Sequence, residues 1–409
     1  MSHRTPTRRL FLEGGFAGLA TLLLEPLVGC SSDEAKEGAG GTGGAGSVDA
    51  GPFLQSNLAK LGPIGPADEN GVRLPAECTA RIVAQSGKEP IAGSGFSWHS
   101  APDGGATFAV PDGGFIYVSN SELPIAGGAG ALRFDAKGEL VDGYSILTNT
   151  NLNCAGGKMP WGTWLSCEEA GRGRVFECDP TGKADAEERP ALGIFKHEGA
   201  AYDPENHHVY LTEDENDGCF YRFVPAGMKA GRADLASGKL EVAKVDGSGG
   251  VTWLAVPDPT FEGTKPTREQ VADATKFDGG EGIVHFAGVI YFSTKGDNRV
   301  WAYHVATAKL SVLYDAAKVT SPVLQGVDAL AVTAGGEILV AEDGDDMQVV
   351  AIMADGSTKV LVQIDGHDGS EITGLTFDPS GTRLFFSSQR GVGGNSGGIT
   401  YMVTGPFHV

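Results

Sequence analysis

A repeated unit in the second half of the chain constrains the fold more than any other feature. Each copy starts with an acid and an apolar stretch, and about ten residues later a β-branched and aromatic run ends in small or acidic residues. Turn-forming residues separate the two halves, so each copy is predicted to be a β-hairpin. Four copies are clear: residues 198–214, 281–294, 328–343 and 371–388.

The spacing of these copies indicates a β-propeller. Glu281, Asp328 and Glu371 begin three copies and lie 47 and 43 residues apart, whereas propeller blades are roughly 40–50 residues long. A third strand is predicted to follow the hairpin in most copies, for example at residues 299–304 and 348–353. Two further strands of the second-half type are predicted earlier in the chain, at residues 114–122 and 161–169.

About six such units are counted when Glu122 and Glu169 are included with the later acids. The long gap between residues 198 and 281 is predicted to hold the outer strands of one blade and an insertion around residues 226–276. The predicted fold class is therefore all-β, a single six-bladed β-propeller with a central channel.

Composition supports this fold and excludes other classes of protein. Glycine accounts for 62 of 409 residues, about twice the usual usage of roughly 7%, which favours many tight turns. Hydrophobic residues make up 41% of the chain, enough for a large core. The net charge of -21 disfavours nucleic-acid binding, which needs clustered Lys and Arg, and favours cation binding.

The N-terminus is interpreted as a targeting segment. Arg8 and Arg9 precede the apolar run of residues 16–24, which is typical of a twin-arginine export signal. Residues 27–30 (LVGC) resemble a bacterial lipobox, in which Cys30 would be lipidated and would anchor the protein to a membrane. The expected organisation is a signal peptide at 1–29, a Gly-rich flexible tether at 30–52 and the propeller at 53–409.

The repeated acids predict a metal site. Inner strands of a propeller converge on one channel, so an acid at the same place in each unit would bring several carboxylates together. Like charges in a partly dry site repel each other, and cations relieve this repulsion. Calcium accepts six to eight oxygen ligands at irregular angles. For any single acid, a hydrogen-bonded turn carboxylate or a solvated residue at the rim is the alternative.

At these motifs the chain resembles the PhoX-type bacterial alkaline phosphatases. The most specific stretches are residues 153–157 (NCAGG) and 160–169 (PWGTWLSCEE). Further similarity lies, in the family's order, at 195–198 (FKHE), 281–282 (EG), 326–328 (GVD), 335–344 (GGEILVAEDG), 371–374 (EITG) and 404–407 (TGPF).

The resemblance implies a six-bladed propeller that hydrolyses small-molecule phosphate esters outside the cytoplasm, with iron and calcium in its channel and a bridging oxo group. It is expected to be a monomer. Cys154 would be the thiolate ligand of iron, and Cys154, Glu169, Glu198 and Glu281 would be catalytic. The implied metal ligands are Asn120, Glu122, Cys154, Glu169, Glu198, Glu281, Asp328 and Glu371.

Two positions depart from the family's pattern. Ser121 replaces the family's His between Asn120 and Glu122, and Gly279 stands where the family has an Arg suited to gripping phosphate. A guanidinium clamp cannot be replaced by glycine. Lys158 and Lys196 are the candidates to take over this role.

Several other residues are assigned mainly structural roles. Cys78, Cys167, Cys178 and Cys219 allow three disulfide pairings, and Cys167 is also a candidate ligand. His197 is interpreted as structural or as supporting a ligand, and residues 213–218 (EDENDG) as an acidic turn rather than a calcium loop.

Two alternative functions stay open. A calcium-dependent propeller hydrolase of another kind, such as a lactonase, would also use an acidic ring. A noncatalytic, calcium-stabilised surface lipoprotein would bind a ligand or a partner. Metal analysis separates these alternatives from the phosphatase, because only the phosphatase reading requires iron together with calcium.

Overall fold

The computed structural model describes residues 54–344, 346–394 and 397–409. The predicted export signal, the lipidation site Cys30 and the tether lie outside the described residues. Within these ranges, no helix is both long enough and apolar enough to span a membrane. The helices described are 3-10 helices of three residues each: Leu58–Lys60, Pro190–Leu192, Thr267–Glu269, Val305–Thr307, Ala316–Lys318 and Val392–Gly394.

The strands form six antiparallel blades, which confirms the predicted propeller. Two strands precede the first blade: β1 (Val72–Arg73) and β2 (Thr79–Gln85). The first blade contains β3 (Pro102–Ala109), β4 (Phe115–Ser121), β5 (Gly127–Phe134) and β6 (Leu140–Thr150). The second contains β7 (Asn153–Lys158), β8 (Trp164–Glu168), β9 (Val175–Cys178) and β10 (Glu187–Glu188).

The third blade contains β11 (His197–Asp203), β12 (His208–Glu213), β13 (Phe220–Pro225), β16 (Gly238–Val245) and β17 (Val251–Ala255), with the hairpin of β14 (Met228–Lys229) and β15 (Arg232–Ala233) inserted. The fourth contains β18 (Gly280–Phe286), β19 (Val289–Thr294), β20 (Arg299–His304) and β21 (Lys309–Asp315). The fifth contains β22 (Val327–Val332), β23 (Ile338–Glu342), β24 (Gln348–Ile352) and β25 (Thr358–Ile364). The sixth contains β26 (Ile372–Phe377), β27 (Arg383–Ser388) and β28 (Ile399–Thr404).

The insertion in the third blade differs from the prediction of a single segment at 226–276. The hairpin of β14 and β15 and the stretch of residues 256–279 are separate insertions. Between them, β16 and β17 are the outer strands of the blade. The outer strands β16 and β17 carry no copy of the acidic motif, so the repeat does not mark their position.

The ring of blades is closed by the N-terminal strands. β2 pairs with β28 as the outermost strand of the sixth blade, with Ala80 opposite Val403. β1 pairs with β25 and adds a fifth strand to the fifth blade. The pairing of β2 with β28 joins a segment near the start of the described chain to one near its end, which ties the first and last strands together.

The hydrophobic core lies between neighbouring blades. Phe220 of the third blade stacks on Phe292 of the fourth, with ring centroids 4.5 Å apart. Tyr117 of the first blade stacks on Phe385 of the sixth at 4.8 Å. Each buried aromatic side chain stabilises the fold by about 1.5–3 kcal/mol. These contacts hold the six inner strands β3, β7, β11, β18, β22 and β26 in contact around one axis.

Glycines allow the inner strands to approach each other. A Cβ on Gly157 would lie 2.1 Å from the carbonyl oxygen of Ala200, and a Cβ on Gly282 would lie 2.5 Å from the amide nitrogen of Leu330. Both contacts are with the backbone of the next inner strand, which cannot move aside. Larger side chains at these positions would therefore widen the ring.

Candidate metal centre at one end of the channel

Six residues at the start of the inner strands form an inner ring. In five blades the ring residue is the second residue of the inner strand, and in the sixth it directly precedes the strand. Five of the six are carboxylates and one is a thiol. The inner ring consists of Asp103, Cys154, Glu198, Glu281, Asp328 and Glu371.

A β-bulge lies beside the inner-ring residue in five of the six blades. There the register between the first two strands shifts across the ring residue, for example between His197 and Ala200 in the third blade and between Gly280 and Ile283 in the fourth. The first, second and fifth blades show the same shift, whereas in the sixth blade it lies between Thr373 and Thr376, after Glu371. Bulges bend a strand and re-aim side chains next to functional sites, so the shared bulge explains why one position in each of these five blades faces the same end of the channel.

An outer ring is formed by the residue that follows the second strand of each blade. Because the second strand runs antiparallel to the first, its end lies beside the inner ring. The outer ring consists of Glu122, Glu169, Asp214, Lys295, Asp343 and Gln389.

The two rings bring metal-ligating atoms together in four overlapping groups. In each group the three ligand atoms lie within 4.8 Å of one another. Two groups contain the thiol and two contain only carboxylates. The groups are Asp103–Glu122–Cys154, Cys154–Glu169–Glu198, Glu198–Glu281–Asp328 and Asp328–Asp343–Glu371.

Three cationic side chains contact these acids. Lys196 Nζ lies 2.8 Å from Glu169 and 2.7 Å from Asp214. Arg390 Nη2 lies 2.7 Å from Glu371. Lys295 also contacts the rings. Three cations cannot neutralise the nine carboxylates of the site, so six negative charges are left when all are ionised.

Burial is the main cause that raises the pKa of several ring carboxyls, and neighbouring carboxylates add to it. Burial raises the pKa of Asp103 to about 7, and Glu122 adds to the shift. Burial raises the pKa of Glu169 to about 8 even though Lys196 opposes the shift. The pKa values of Glu198 and Glu281 are raised well above the usual range, first by burial and then by neighbouring carboxylates. Bound cations would remove this penalty.

Glu198 and Cys154 give the most direct test of whether the site fits a metal. Cys154 Sγ donates to Glu198 Oε1 at 3.1 Å. Glu198 Oε2 is buried and has no hydrogen-bond partner. An orphaned buried carboxylate oxygen is costly, and a cation shared between two groups would satisfy it. Burial and the surrounding acids raise the pKa of the Cys154 thiol, and a coordinating metal would deprotonate it. The donors therefore fit cations.

Seven of the eight residues implied as ligands are brought together in this way. They are Glu122, Cys154, Glu169, Glu198, Glu281, Asp328 and Glu371. The count of six units from the sequence, however, combined residues of both rings. Glu122 and Glu169 belong to the outer ring, so the inner-ring residues of the first two blades are Asp103 and Cys154.

Asn120 lies beside the rings, and both polar atoms of its side chain make hydrogen bonds. Its Nδ2 donates to the carbonyls of Cys154 and Ala155 at 3.0 and 2.8 Å. Its Oδ1 accepts hydrogen bonds from Trp164 Nε1 and Ser166 Oγ at 2.9 and 2.8 Å. Both lone-pair positions of the oxygen are used, so Asn120 ties the bulge of the second blade to the first blade.

Sequence reasoning missed Asp103, Asp214, Asp343 and Lys295 as site residues. One signal could have found Asp103. Asp103-Gly104 repeats the pairing of a ligand with a small residue at 154–155, 198–199, 281–282 and 328–329. The outer ring could have been found from the acid that ends each second-strand run, but Lys295 breaks that pattern.

Several other predicted residues lie away from the two rings. Cys167 is fully buried in the hydrophobic core between blades, so it is not a ligand. The five cysteines among the described residues are all free thiols, and none forms the disulfides that were considered. His197 is buried with Nε2 2.9 Å from the carbonyl oxygen of Gly193, and burial lowers its pKa to about 3. This geometry agrees with a structural role.

The side chain of Arg268 lies against the acidic turn at residues 213–218. It contacts Glu213, Glu215 and Asp217 at 3.6, 3.3 and 2.8 Å. The turn is therefore held by an internal cation.

The opposite end of the channel is a cavity of about 540 Å³ lined by the later residues of the inner strands. Its walls are mainly glycine, alanine and aliphatic side chains. Lys158 lies here, with Nζ 5.3 Å from the centre of the Phe108 ring. Of the two lysines proposed from the sequence to replace the family's Arg, Lys196 is at the acidic rings and Lys158 is not.

The fold and the site define a six-bladed propeller whose central channel carries, at one end, a ring of carboxylates and one thiol that could hold metal ions. Comparison identifies the family. The profile of the family Alkaline phosphatase PhoX matches residues 117–391. The chain belongs to this family, and the membership supports a phosphatase.

The fold agrees with that of one solved structure. The structure of Pseudomonas fluorescens PhoX in complex with vanadate, a transition state analogue, is 17% identical and has a TM-score of 0.68, over 87% of this chain and 98% of that one. A gluconolactonase from Xanthomonas campestris is 14% identical, with a TM-score of 0.48 over 85% of this chain and 98% of that one. No curated protein sequence matches the chain significantly.

Proposed function

We propose that this protein hydrolyses phosphate esters outside the cytoplasm through an iron and calcium cluster held by the two rings. The observation that carries the proposal is the set of four overlapping ligand groups at one end of the channel, in a chain of the PhoX family.

The donor atoms divide the groups between two kinds of cation. Thiolate together with carboxylates suits iron, and carboxylates alone suit calcium. Cys154, Glu169 and Glu198 would therefore hold iron. The groups built from Glu198, Glu281, Asp328, Asp343 and Glu371 would hold calcium. Cys154, Glu198 and Asp328 each belong to two groups, so each would contribute to two neighbouring cation sites.

The bound cations would supply charge neutralisation and Lewis-acid activation of the phosphoryl group. The chain's own residues perform the remaining tasks. Glu198 and Glu281, both 2% exposed, keep the ligands in a dry and fixed geometry. Asp103 accepts a hydrogen bond from Gln389, which ties the first blade to the sixth beside the rings. Arg390 is 44% exposed above Glu371 and can attract anionic esters to the site.

Export and anchoring are part of the proposal. Twin-arginine export moves folded proteins, so a cluster could be assembled before the protein leaves the cytoplasm. Lipidation of Cys30 would then tether the monomeric propeller to the cell envelope. Replacing Cys30 by Ser should release the protein from membranes into the soluble fraction, and a variant still bound to membranes would contradict the anchor.

Release of p-nitrophenol from its phosphate ester tests the activity. The natively folded protein should hydrolyse the ester, EDTA should abolish hydrolysis, and iron plus calcium should restore it. Cys154→Ala should remain inactive after reconstitution. The matched control is Lys158→Met at the other end of the channel, which should stay within about twofold of the wild type, as expected for a substitution remote from the site.

Metal-loaded protein without phosphatase activity would overturn the proposal. Hydrolysis of a lactone with calcium alone would favour the lactonase alternative, and calcium without any hydrolysis would favour the noncatalytic lipoprotein.

A further inference from the structure

The outer ring carries one residue of the opposite charge. Four blades place a carboxylate directly after the second strand, and the sixth blade places the amide of Gln389 there. The fourth blade places Lys295 at this position. An ammonium group has no acceptor and cannot ligate a cation, so this asymmetry needs a separate explanation.

Lys295 lies between two of the ligand groups. Its Nζ is 2.9 Å from Glu281, 3.2 Å from Asp328 and 3.3 Å from Asp343. Asp328 is the residue that these two groups share. The ammonium therefore occupies the place where two bound cations would compete with it for the same carboxylate oxygens.

The surrounding backbone holds Lys295 at this position. Its amide donates to the carbonyl of Gly279 at 2.8 Å, and the next amide, of Gly296, donates to Asp278 at 3.0 Å. Gly279 has a φ of 69°, where side chains are disfavoured. A Cβ there would lie 3.8 Å from the Cβ of Lys295 and 3.2 Å from Asp214 Oδ1. Glycine at this position therefore suits the backbone conformation, and a side chain there would crowd Asp214.

Lys196 provides a comparison on the same ring. One of its two partners, Asp214, belongs to none of the four ligand groups. Lys196 can keep this partner when cations bind. All three partners of Lys295 belong to ligand groups, so cation binding would draw their oxygens away from it.

An ammonium has three donors and no acceptor. Once its carboxylates face bound cations, Lys295 needs new acceptors that can reach it from solvent, and its side chain is 34% exposed. Phosphoryl oxygens of a substrate held against the cations are acceptors of this kind.

We propose that Lys295 binds the phosphoryl group of the substrate and sets the side of the ring on which it docks. This inference rests on the proposed function. Lys295 would leave its apo contacts with Glu281, Asp328 and Asp343 when the cations bind, and would donate to an anion on the side of the fourth blade.

The test measures binding of inorganic phosphate by calorimetry and metal content by mass spectrometry. Metal-loaded Lys295→Met should keep the metals of the wild type and bind phosphate at least about tenfold more weakly, as expected for the loss of one charge-assisted hydrogen bond. Lys295→Arg should recover part of the affinity. Lys158→Met removes the same charge at the opposite end of the channel and should bind phosphate like the wild type.

Phosphate affinity unchanged in Lys295→Met would overturn the inference. Loss of metal from this variant would also overturn it, because Lys295 would then organise the ligands. Lys295→Gln repeats both measurements if the Met variant does not fold. If the wild type binds phosphate without hydrolysing esters, the proposed phosphatase is refuted. The phosphate affinity of Lys295→Met would still decide the role of Lys295. A wild type that does not bind phosphate would refute both.

Discussion

The same six inner strands build two different ends of one channel. At one end they begin with five carboxylates and a thiol, while at the other end they line a cavity of about 540 Å³ with small and apolar residues. The bulge in each strand lies between these ends. The comparison shows that one β-bulge in each inner strand lies where the acidic end of the channel gives way to its apolar end.

The largest expected effect comes from changing a shared ligand at the acidic end. Glu198→Gln should lower phosphatase activity at least about a hundredfold, because losing a ligand costs more than the 10–100-fold typical of residues that only support one. Metal content should fall in the same variant. An enzyme that kept both its metals and its activity would contradict the account of the acidic end.

Glu168 and Glu169 are adjacent residues with different expected roles. Glu168 is buried and paired with Arg174 at 2.9 Å, whereas Glu169 faces the rings. Glu169→Gln should lower activity and metal content. The metal-free variant should be at least as stable as the wild type, because burial disfavours the ionised form of Glu169 and glutamine carries no charge.

Glu168→Gln should keep metal and activity and lower the free energy of unfolding by about 1–2 kcal/mol, since its partner is partly exposed. Denaturant unfolding and metal analysis of both variants check this contrast. If the two variants had the same metal content, activity and stability, the different roles assigned to Glu168 and Glu169 would be contradicted.

The close approach of the inner strands predicts a loss of stability. Gly282→Ala would push a Cβ to within 2.8 Å of Ala329 Cα, and overpacking of this kind costs about 1–3 kcal/mol. Gly247→Ala is the control, because a Cβ there meets nothing within 4 Å. Thermal unfolding that shifts equally in both variants would contradict the packing of the ring.

The last prediction concerns the pH dependence of stability in the metal-free protein. The folded-state pKa values of Asp103 and Glu169 are raised to about 7 and about 8, against about 4 in the unfolded chain. The unfolded state therefore loses these protons first as the pH rises.

The stability of the metal-free protein should be greatest below about pH 4, as far as these groups decide it, and should decrease between about pH 4 and 8. Bound cations should weaken this dependence. Melting curves across this range with and without EDTA measure it, and a metal-free protein that gains stability from pH 4 to 8 would contradict the charged ring.

The sequence predicted the strands of the later blades well and the site in part. β19, β20 and β27 begin and end at the predicted residues, because β-branched and aromatic runs between turn residues depend on local sequence. Which acids share a ring depends on the bulges and on pairing between strands. Glu122 was therefore grouped with the inner ring, and Asp103 was overlooked.

Two further features lie beyond sequence reasoning for a physical reason. β2 completes the sixth blade through partners more than 300 residues away, and no local pattern encodes that pairing. Lys295 belongs to the site because it directly follows β19, although it is basic and the motif predicts an acid at this place. Both are consequences of the closed ring.

The most direct test of the account is the metal content of natively exported protein, measured by inductively coupled plasma mass spectrometry. The account predicts iron and calcium together, in fixed ratios to the chain, with both reduced in Glu198→Gln. A folded protein that binds neither metal in a fixed ratio, and whose melting temperature EDTA does not change, would contradict it.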